Sequence, residues 1–468
     1  MADPGTSVTP YWELTFDADG DTDGRERDRL LRQVADHGVR DLIVFAHGWN
    51  NDRSGATALY RHFFAPIPQL APRARIGYAG VIWPSMRFSD EPIPNFPKSV
   101  AAETAEAAEA GGASGVGGAA VAGGSVPRPV LGKDTRHALL ETFPGRATVV
   151  DQIARMLDQQ HPEEAELAEF GRLVRVLVEV VPGGPQPLFA ADTLAEGVPQ
   201  SEPVLFTGDT ATLCDEFAQA LAALRSAGQN DQFSLPNPWD GARELLRQAT
   251  YYAMKRRAGT VGERGLGPVI GQLAAAAPDV RVHLVGHSFG GRLVSFALRG
   301  LPDGVHTVKS VTLLQGAFSH YAFAARLPHD PRAGGVLQGQ QHRVDGPLVC
   351  CYSRHDAALG TLYPLASRMA DDDRSATAPV GEAAAEGLDL VRTLGAKWGA
   401  MGHDGVQAVP GTRALDLAAA LRGPLPASGC VNVDAASVVR RGGPPTGAHS
   451  DILHPELARV VLAAGRIA

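Results

Sequence analysis

The stretch Val280-Arg-Val-His-Leu-Val-Gly-His-Ser-Phe-Gly-Gly-Arg-Leu-Val-Ser-Phe-Ala-Leu298 constrains the fold more than any other part of the chain. Val280, Val282, Leu284 and Val285 read as a buried strand ending at Gly286, while Leu293, Val294, Ala297 and Leu298 recur at helical spacing. A strand therefore passes into a helix across Gly286-His-Ser-Phe-Gly290, which has the Gly-x-Ser-x-Gly form of a nucleophile elbow. In such a turn the flanking glycines let strand and helix pack closely around a strained serine. The Ser288 hydroxyl is then projected above the end of the sheet, where the helix N-terminus favours negative charge. The plain alternative is a glycine-rich turn with an incidental serine, in a chain that holds 53 glycines. Placement between a strand and a helix favours the elbow.

The rest of the chain supplies a sheet for that elbow. Tyr11 to Phe16 alternates as a half-buried strand, Leu30, Leu31 and Val34 form the stripe of a helix that ends near Gly38, and Asp41 to Ala46 reads as a fully buried strand. A helix from about Ser54 to Phe64 and a strand from Ile76 to Trp83 follow. Alternating helices and strands predict an α/β fold with a mostly parallel sheet and flanking helices. Beyond the elbow, strands are expected at 308–314, 347–352 and 430–439, with a closing helix over 455–464. Helical pattern also covers 240–257 and 267–276, whereas 366–426 reads as an irregular excursion.

Residues 85–238 interrupt this alternation as a large, mainly helical insertion between the core segments 1–84 and 239–468. Helices are expected at 149–157, 165–181 and 210–224, and the Ala/Gly-rich stretch 101–124 reads as a flexible linker in its second half. The insertion is a candidate lid.

Acyl chemistry at a serine needs an oxyanion hole, a base and an acid that orients the base. Strand 41–46 runs into His47-Gly48-Trp49, where Gly48 lets the backbone approach a substrate; the N–H groups of Gly48, Trp49 and Phe289 are candidate oxyanion donors. A helix cap at Asn51, Asp52 or Ser54 is the structural reading of the same loop. Asp356, just beyond strand 347–352, is the favoured acid, with Asp404 and Asp434 in reserve. His449, between the last strand and the closing helix, is the favoured base, and His454, beside Pro455, is the alternative. His287 is expected to point away from the site, and His355 and His403 to be loop histidines. Trp49, Phe289 and Trp83 could line an apolar pocket or belong to the core.

Taken together, His47-Gly48-Trp49, Gly286-His-Ser-Phe-Gly290, Asp356 and His449 resemble the oxyanion loop, elbow, acid and base of the α/β-hydrolase superfamily, in chain order and each after an expected strand. The resemblance covers about 11–84 and 240–468, and departs from the common pattern in placing the largest insertion before the elbow. It implies a Ser-His-Asp hydrolase working through an acyl-enzyme, with no metal or organic cofactor; it does not specify a substrate, and hydrolysis of a carboxylic ester or thioester is the leading reading. Acyl transfer is the close variant, and a non-catalytic scaffold using the insertion to bind a protein partner is the reading from another class.

Composition narrows the partners. A formal net charge of −8 gives no electrostatic case for nucleic acid or an anionic membrane. No His-Glu-x-x-His, Cys-x-x-Cys or phosphate-binding Gly-x-x-x-x-Gly-Lys-Ser/Thr motif occurs. Stable membrane insertion is not expected, because no apolar run is long enough to span a bilayer. The opening Met-Ala-Asp-Pro-Gly-Thr-Ser lacks a signal-peptide pattern, and Cys214, Cys350, Cys351 and Cys430 read as reduced thiols, so a cytoplasmic location is expected.

Overall fold

Strand burial follows sequence pattern. β1 (Tyr11–Thr15) buries alternate residues, Trp12 and Leu14, whereas β2 (Asp41–Ala46) and β3 (Ile76–Ile82) are buried along their whole length. Continuous burial belongs to strands covered by helices on both faces. The computed structural model describes residues 7–49, 51–86, 130–179, 187–195, 204–228, 237–359, 399–442 and 447–468. Two short strands, β4 (Thr193–Ala195) and β7 (Ala333–Gly335), pair antiparallel with each other. The others are β5 (Arg281–His287), β6 (Val308–Leu314), β8 (Pro347–Tyr352), β9 (Arg413–Asp416) and β10 (Gly429–Asp434).

The main sheet has eight strands in the order β1-β3-β2-β5-β6-β8-β10-β9, and every pairing in it is parallel. One face packs on the helices Gly24–Asp36, Pro238–Thr260, Gly267–Ala276 and Phe289–Arg299, the other on Arg53–Phe64 and Pro455–Gly465. From β2 the chain crosses to β3 on one side, and from β5 to β6 on the other. Adjacent crossovers that diverge leave a crevice at the carboxyl ends of β2 and β5, where ligands bind in open α/β sheets.

Several elements differ from expectation. Within 366–426, expected to be irregular, the described part holds β9 and two short helices, Met401–Asp404 and Leu417–Arg422; β9 is an edge strand with mostly exposed residues, so it carries no hydrophobic signal. The last strand ends at Asp434, not Val439, because the chain turns there and the Asp434 carboxylate accepts the Ala436 N–H. The two helices expected at 240–257 and 267–276 are joined by a π-helical turn, Val261–Leu266, which packs against helix Phe289–Arg299; a Cβ on Gly262 would lie 2.2 Å from the Leu293 carbonyl oxygen. Among the described residues of the insertion, the longer helices are Lys133–Thr142, Ala147–Gln159, Glu164–Leu177 and Thr210–Gly228, and the linker 101–124 lies outside the described residues. Insertion residues Ile153, Phe170 and Leu173 share one apolar cluster with Leu284 and Leu293 of the core.

A buried ionic cluster also ties the insertion to the elbow helix. Asp192, beside β4, lies 2.9 Å from Lys255 Nζ, pairs with the Arg292 guanidinium and accepts the Ser319 N–H at 3.0 Å. Arg292 also donates to the carbonyls of Phe189, Ala191 and Lys255. All three charged groups are fully buried. Removing Asp192 takes a buried carboxylate away from both cations in low dielectric. We expect Asp192→Ala to lower stability by about 3–5 kcal/mol in urea unfolding, whereas Glu169→Ala, at an exposed pair with Arg172, costs less than about 1 kcal/mol. Equal effects would contradict this role for the cluster.

Candidate active site

β5 ends at His287 and the next helix begins at Phe289, leaving Ser288 alone in the turn with φ 56° and ψ −122°. A positive φ at a residue with a side chain is strained, by about 1–3 kcal/mol. Backbone contacts explain why glycines flank it. A Cβ on Gly286 would sit 2.3 Å from the Gly290 carbonyl oxygen, and one on Gly290 would sit 1.9 Å from that of Ala46. Both glycines of the Gly-x-Ser-x-Gly pattern are thus demanded by close packing.

Three side chains meet at the carboxyl end of the sheet. His449 Nε2 lies 2.9 Å from Ser288 Oγ, and His449 Nδ1 lies 2.7 Å from Asp356 Oδ2. Asp356 is fully buried, and its other oxygen accepts the Leu359 N–H at 3.0 Å. A buried carboxylate facing Nδ1 holds the proton there, leaving the Nε2 lone pair to accept from the serine hydroxyl. The loop carrying His449 is stitched to the turn carrying Asp356, since Ala448 N–H donates to the His355 carbonyl at 2.9 Å. Gly447, at φ 58°, allows that approach; a Cβ there would lie 2.5 Å from the His355 oxygen. The reserve residues lie elsewhere. Asp404 pairs with His320 Nδ1 at 2.9 Å, Asp434 caps its own turn, and His454 pairs with Asp451 at 2.8 Å.

The loop after β2 lies against the serine. A Cβ on Gly48 would be 2.6 Å from Ser288 Cβ, so only glycine leaves room. The Gly48 carbonyl accepts from His47 Nδ1 at 2.8 Å and from Asn51 Nδ2 at 3.3 Å. In a planar trans peptide the Trp49 N–H points the opposite way from that carbonyl. The Phe289 N–H, at the first position of its helix, has no intrahelical acceptor. Beyond the loop, Asp52 is the cap of helix Arg53–Phe64 and accepts the Gly55 N–H at 2.7 Å. His47 is held by Tyr60 Oη, which accepts its N–H at 3.0 Å, and by Trp83 Nε1, which donates to its carbonyl at 3.0 Å. Trp83 stacks on the His47 ring and is buried in the core cluster that also holds Phe289. Trp49 and Phe289 form an aromatic group with Tyr251, whose ring centroid is 5.4 Å from Trp49 and 4.7 Å from Phe289. Sequence reading missed Tyr251, which carries no motif and arrives from the distant helix Pro238–Thr260.

His287 corrects an expectation. It does not point away from the site: its ring centroid is 5.1 Å from that of His449, and its Nε2–H donates to the His449 carbonyl at 2.9 Å. Alternation along a strand misplaces it because the chain leaves strand geometry at Ser288. His403, expected in a loop, lies in the short helix Met401–Asp404, with Nδ1 3.3 Å from the Asp356 carbonyl oxygen.

Burial pushes the His287 imidazole down to about 3, with repulsion from His449 adding to it, and pushes His47 down to about 4. Unfolding restores both to about 6.5. Below that pH the unfolded chain binds protons that the folded chain refuses, so stability present above pH 6.5 is lost as pH falls toward 4 and then 3. Urea unfolding should accordingly show lower stability at pH 5 than at pH 7, with a smaller difference in His47→Gln. Identical stability at the two pH values would contradict the burial of neutral rings.

Among the described residues no cluster of three His, Cys, Asp or Glu side chains is arranged to hold a metal ion, and no helix is long and apolar enough to cross a membrane. Comparison of the chain with protein-family models, curated proteins and solved structures finds no match.

Proposed function

We propose that this chain is a serine hydrolase of the α/β-hydrolase type, cleaving a carboxylic ester or thioester through an acyl-enzyme on Ser288. The observation that carries this reading is the placement of His449 between Ser288 Oγ and the buried Asp356 carboxylate, within hydrogen-bond distance of both. Ser288 Oγ attacks the acyl carbonyl while His449 Nε2 takes its proton. Asp356 stays ionised and stabilises the imidazolium that forms. The oxyanion is held by the N–H groups of Phe289 and Trp49, with Gly48 leaving the space the acyl carbon needs. His449 then protonates the leaving alcohol or thiol, the C–O or C–S bond breaks, and an acyl ester remains on Ser288. A water that His449 deprotonates attacks this ester and releases the acid; an alcohol or amine in its place gives acyl transfer. The Trp49, Tyr251 and Phe289 rings beside these donors favour an apolar acyl group. Four free, buried cysteines suit a reducing compartment such as the cytoplasm.

A panel of aryl and alkyl esters and acyl thioesters tests the reading. Wild-type protein should turn over at least one class, Ser288→Ala should abolish that turnover, His449→Ala should reduce kcat/KM by at least about 10²–10⁴-fold, and Asp356→Asn by roughly 10⁴-fold. Folded wild type without turnover on the whole panel, or turnover that survives Ser288→Ala, would count against it.

A further inference from the structure

Residues 447–454, which bear His449 just before helix Pro455–Gly465, are neither strand nor helix, so nothing in regular secondary structure fixes the imidazole. Besides the Ala448 N–H bond to the His355 carbonyl and the Asp356 contact, a side chain from the elbow strand holds it. His287 Nε2–H donates to the main-chain carbonyl of His449 itself, at 2.9 Å. We infer that His287 is a positioning residue: the turn that aims the Ser288 hydroxyl also clamps the main chain of its base, through the side chain immediately before the serine. The inference rests on reading Ser288, His449 and Asp356 as the reacting set.

Two observations separate this from ordinary core filling. The position is 4 % exposed, where an apolar side chain of similar volume packs without any polar demand, yet His287 leaves its Nδ1 buried without a hydrogen-bond partner. An orphaned nitrogen is a cost, and the bond from the opposite nitrogen is what the ring obtains in return. That bond also fixes the tautomer: a carbonyl accepts only from N–H, so the proton sits on Nε2 and Nδ1 carries the lone pair. The second observation is the direction of the contact. His287 belongs to the end of β5, a strand locked between β2 and β6, while the carbonyl it holds belongs to a loop. A residue of the sheet therefore helps set the position of a loop residue, and a shift in the His449 main chain would be felt at the 2.9 Å contact between Nε2 and Ser288 Oγ.

The test uses the full chain and a fluorophosphonate probe, with the rate of serine modification as readout. His287→Phe keeps a ring of similar size without the donor, and His287→Gln places an amide N–H close to the position of Nε2. With melting temperatures matched, His287→Phe should react roughly 10- to 100-fold more slowly than wild type, and His287→Gln should recover most of the rate. Equal rates for wild type and His287→Phe, or no recovery in His287→Gln, would overturn the inference. Should His287→Phe fail to fold, nitrogen-15 spectra of the wild-type imidazoles decide: the inference requires a neutral His287 with its proton on Nε2 near pH 7, and a proton on Nδ1 overturns it. A folded wild type that does not react with the probe at all would instead defeat the proposed hydrolase chemistry, while leaving the tautomer measurement to judge the clamp separately.

Discussion

The contact on which the site depends is the approach of Gly290 to the Ala46 carbonyl, where the turn after β5 meets the end of β2. The two strands are paired in register from Asp41 with Arg281 to Ala46 with Gly286, so the residues that follow them emerge side by side. That register delivers Gly48 against Ser288 and His47 beside His287. A side chain at position 290 would push the two turns apart, and the donors at Trp49 and Phe289 would no longer share a space with the serine. The topology gives the same place a second meaning, because crossovers from β2 and β5 diverge there and leave a crevice open at the carboxyl ends.

Around that contact the chain arranges unusual numbers of buried polar groups. His47 Nε2, His287 Nδ1 and both amide atoms of Gln315 lie close to the elbow, buried and without hydrogen-bond partners. Gln315 follows β6 with φ 46°, between Leu314, whose carbonyl accepts the Ser288 N–H, and Ala317, whose N–H donates to the Ser288 carbonyl. Strain and unpaired polar atoms reduce stability, and they concentrate here where the proposed chemistry needs Ser288 held in one orientation. Stability comes from elsewhere: the apolar layers on both faces of the sheet, and helix-to-helix packing so close that the π-helical turn Val261–Leu266 leaves no room for a side chain at Gly262. Asp192, Lys255 and Arg292 add a fixed geometry between the insertion, the long helix and the elbow helix.

Much of this was legible in the sequence, for a physical reason. The three residues Ser288, Asp356 and His449 each follow a strand with strong apolar character, so their convergence follows once the sheet is parallel. Gly48 was readable because a glycine directly after a buried strand leaves few roles open. Other features had no local signature. β9 sits at the sheet edge with exposed side chains, and β7 is Ala333-Gly-Gly335, so neither shows the pattern of a strand. Asp192 and Arg292 are 100 residues apart, and nothing in the neighbourhood of either announces a buried charge. The inward position of His287 has no local signature either, because it stands at the entry to a turn where Ser288 adopts a left-handed φ.

The most direct measurement is peptide mapping by mass spectrometry after treatment of the folded protein with a fluorophosphonate. The account predicts one phosphonyl adduct, on the peptide that contains Ser288, absent when the protein is first unfolded. An unmodified Ser288 in folded protein, or an adduct on another serine, would contradict it.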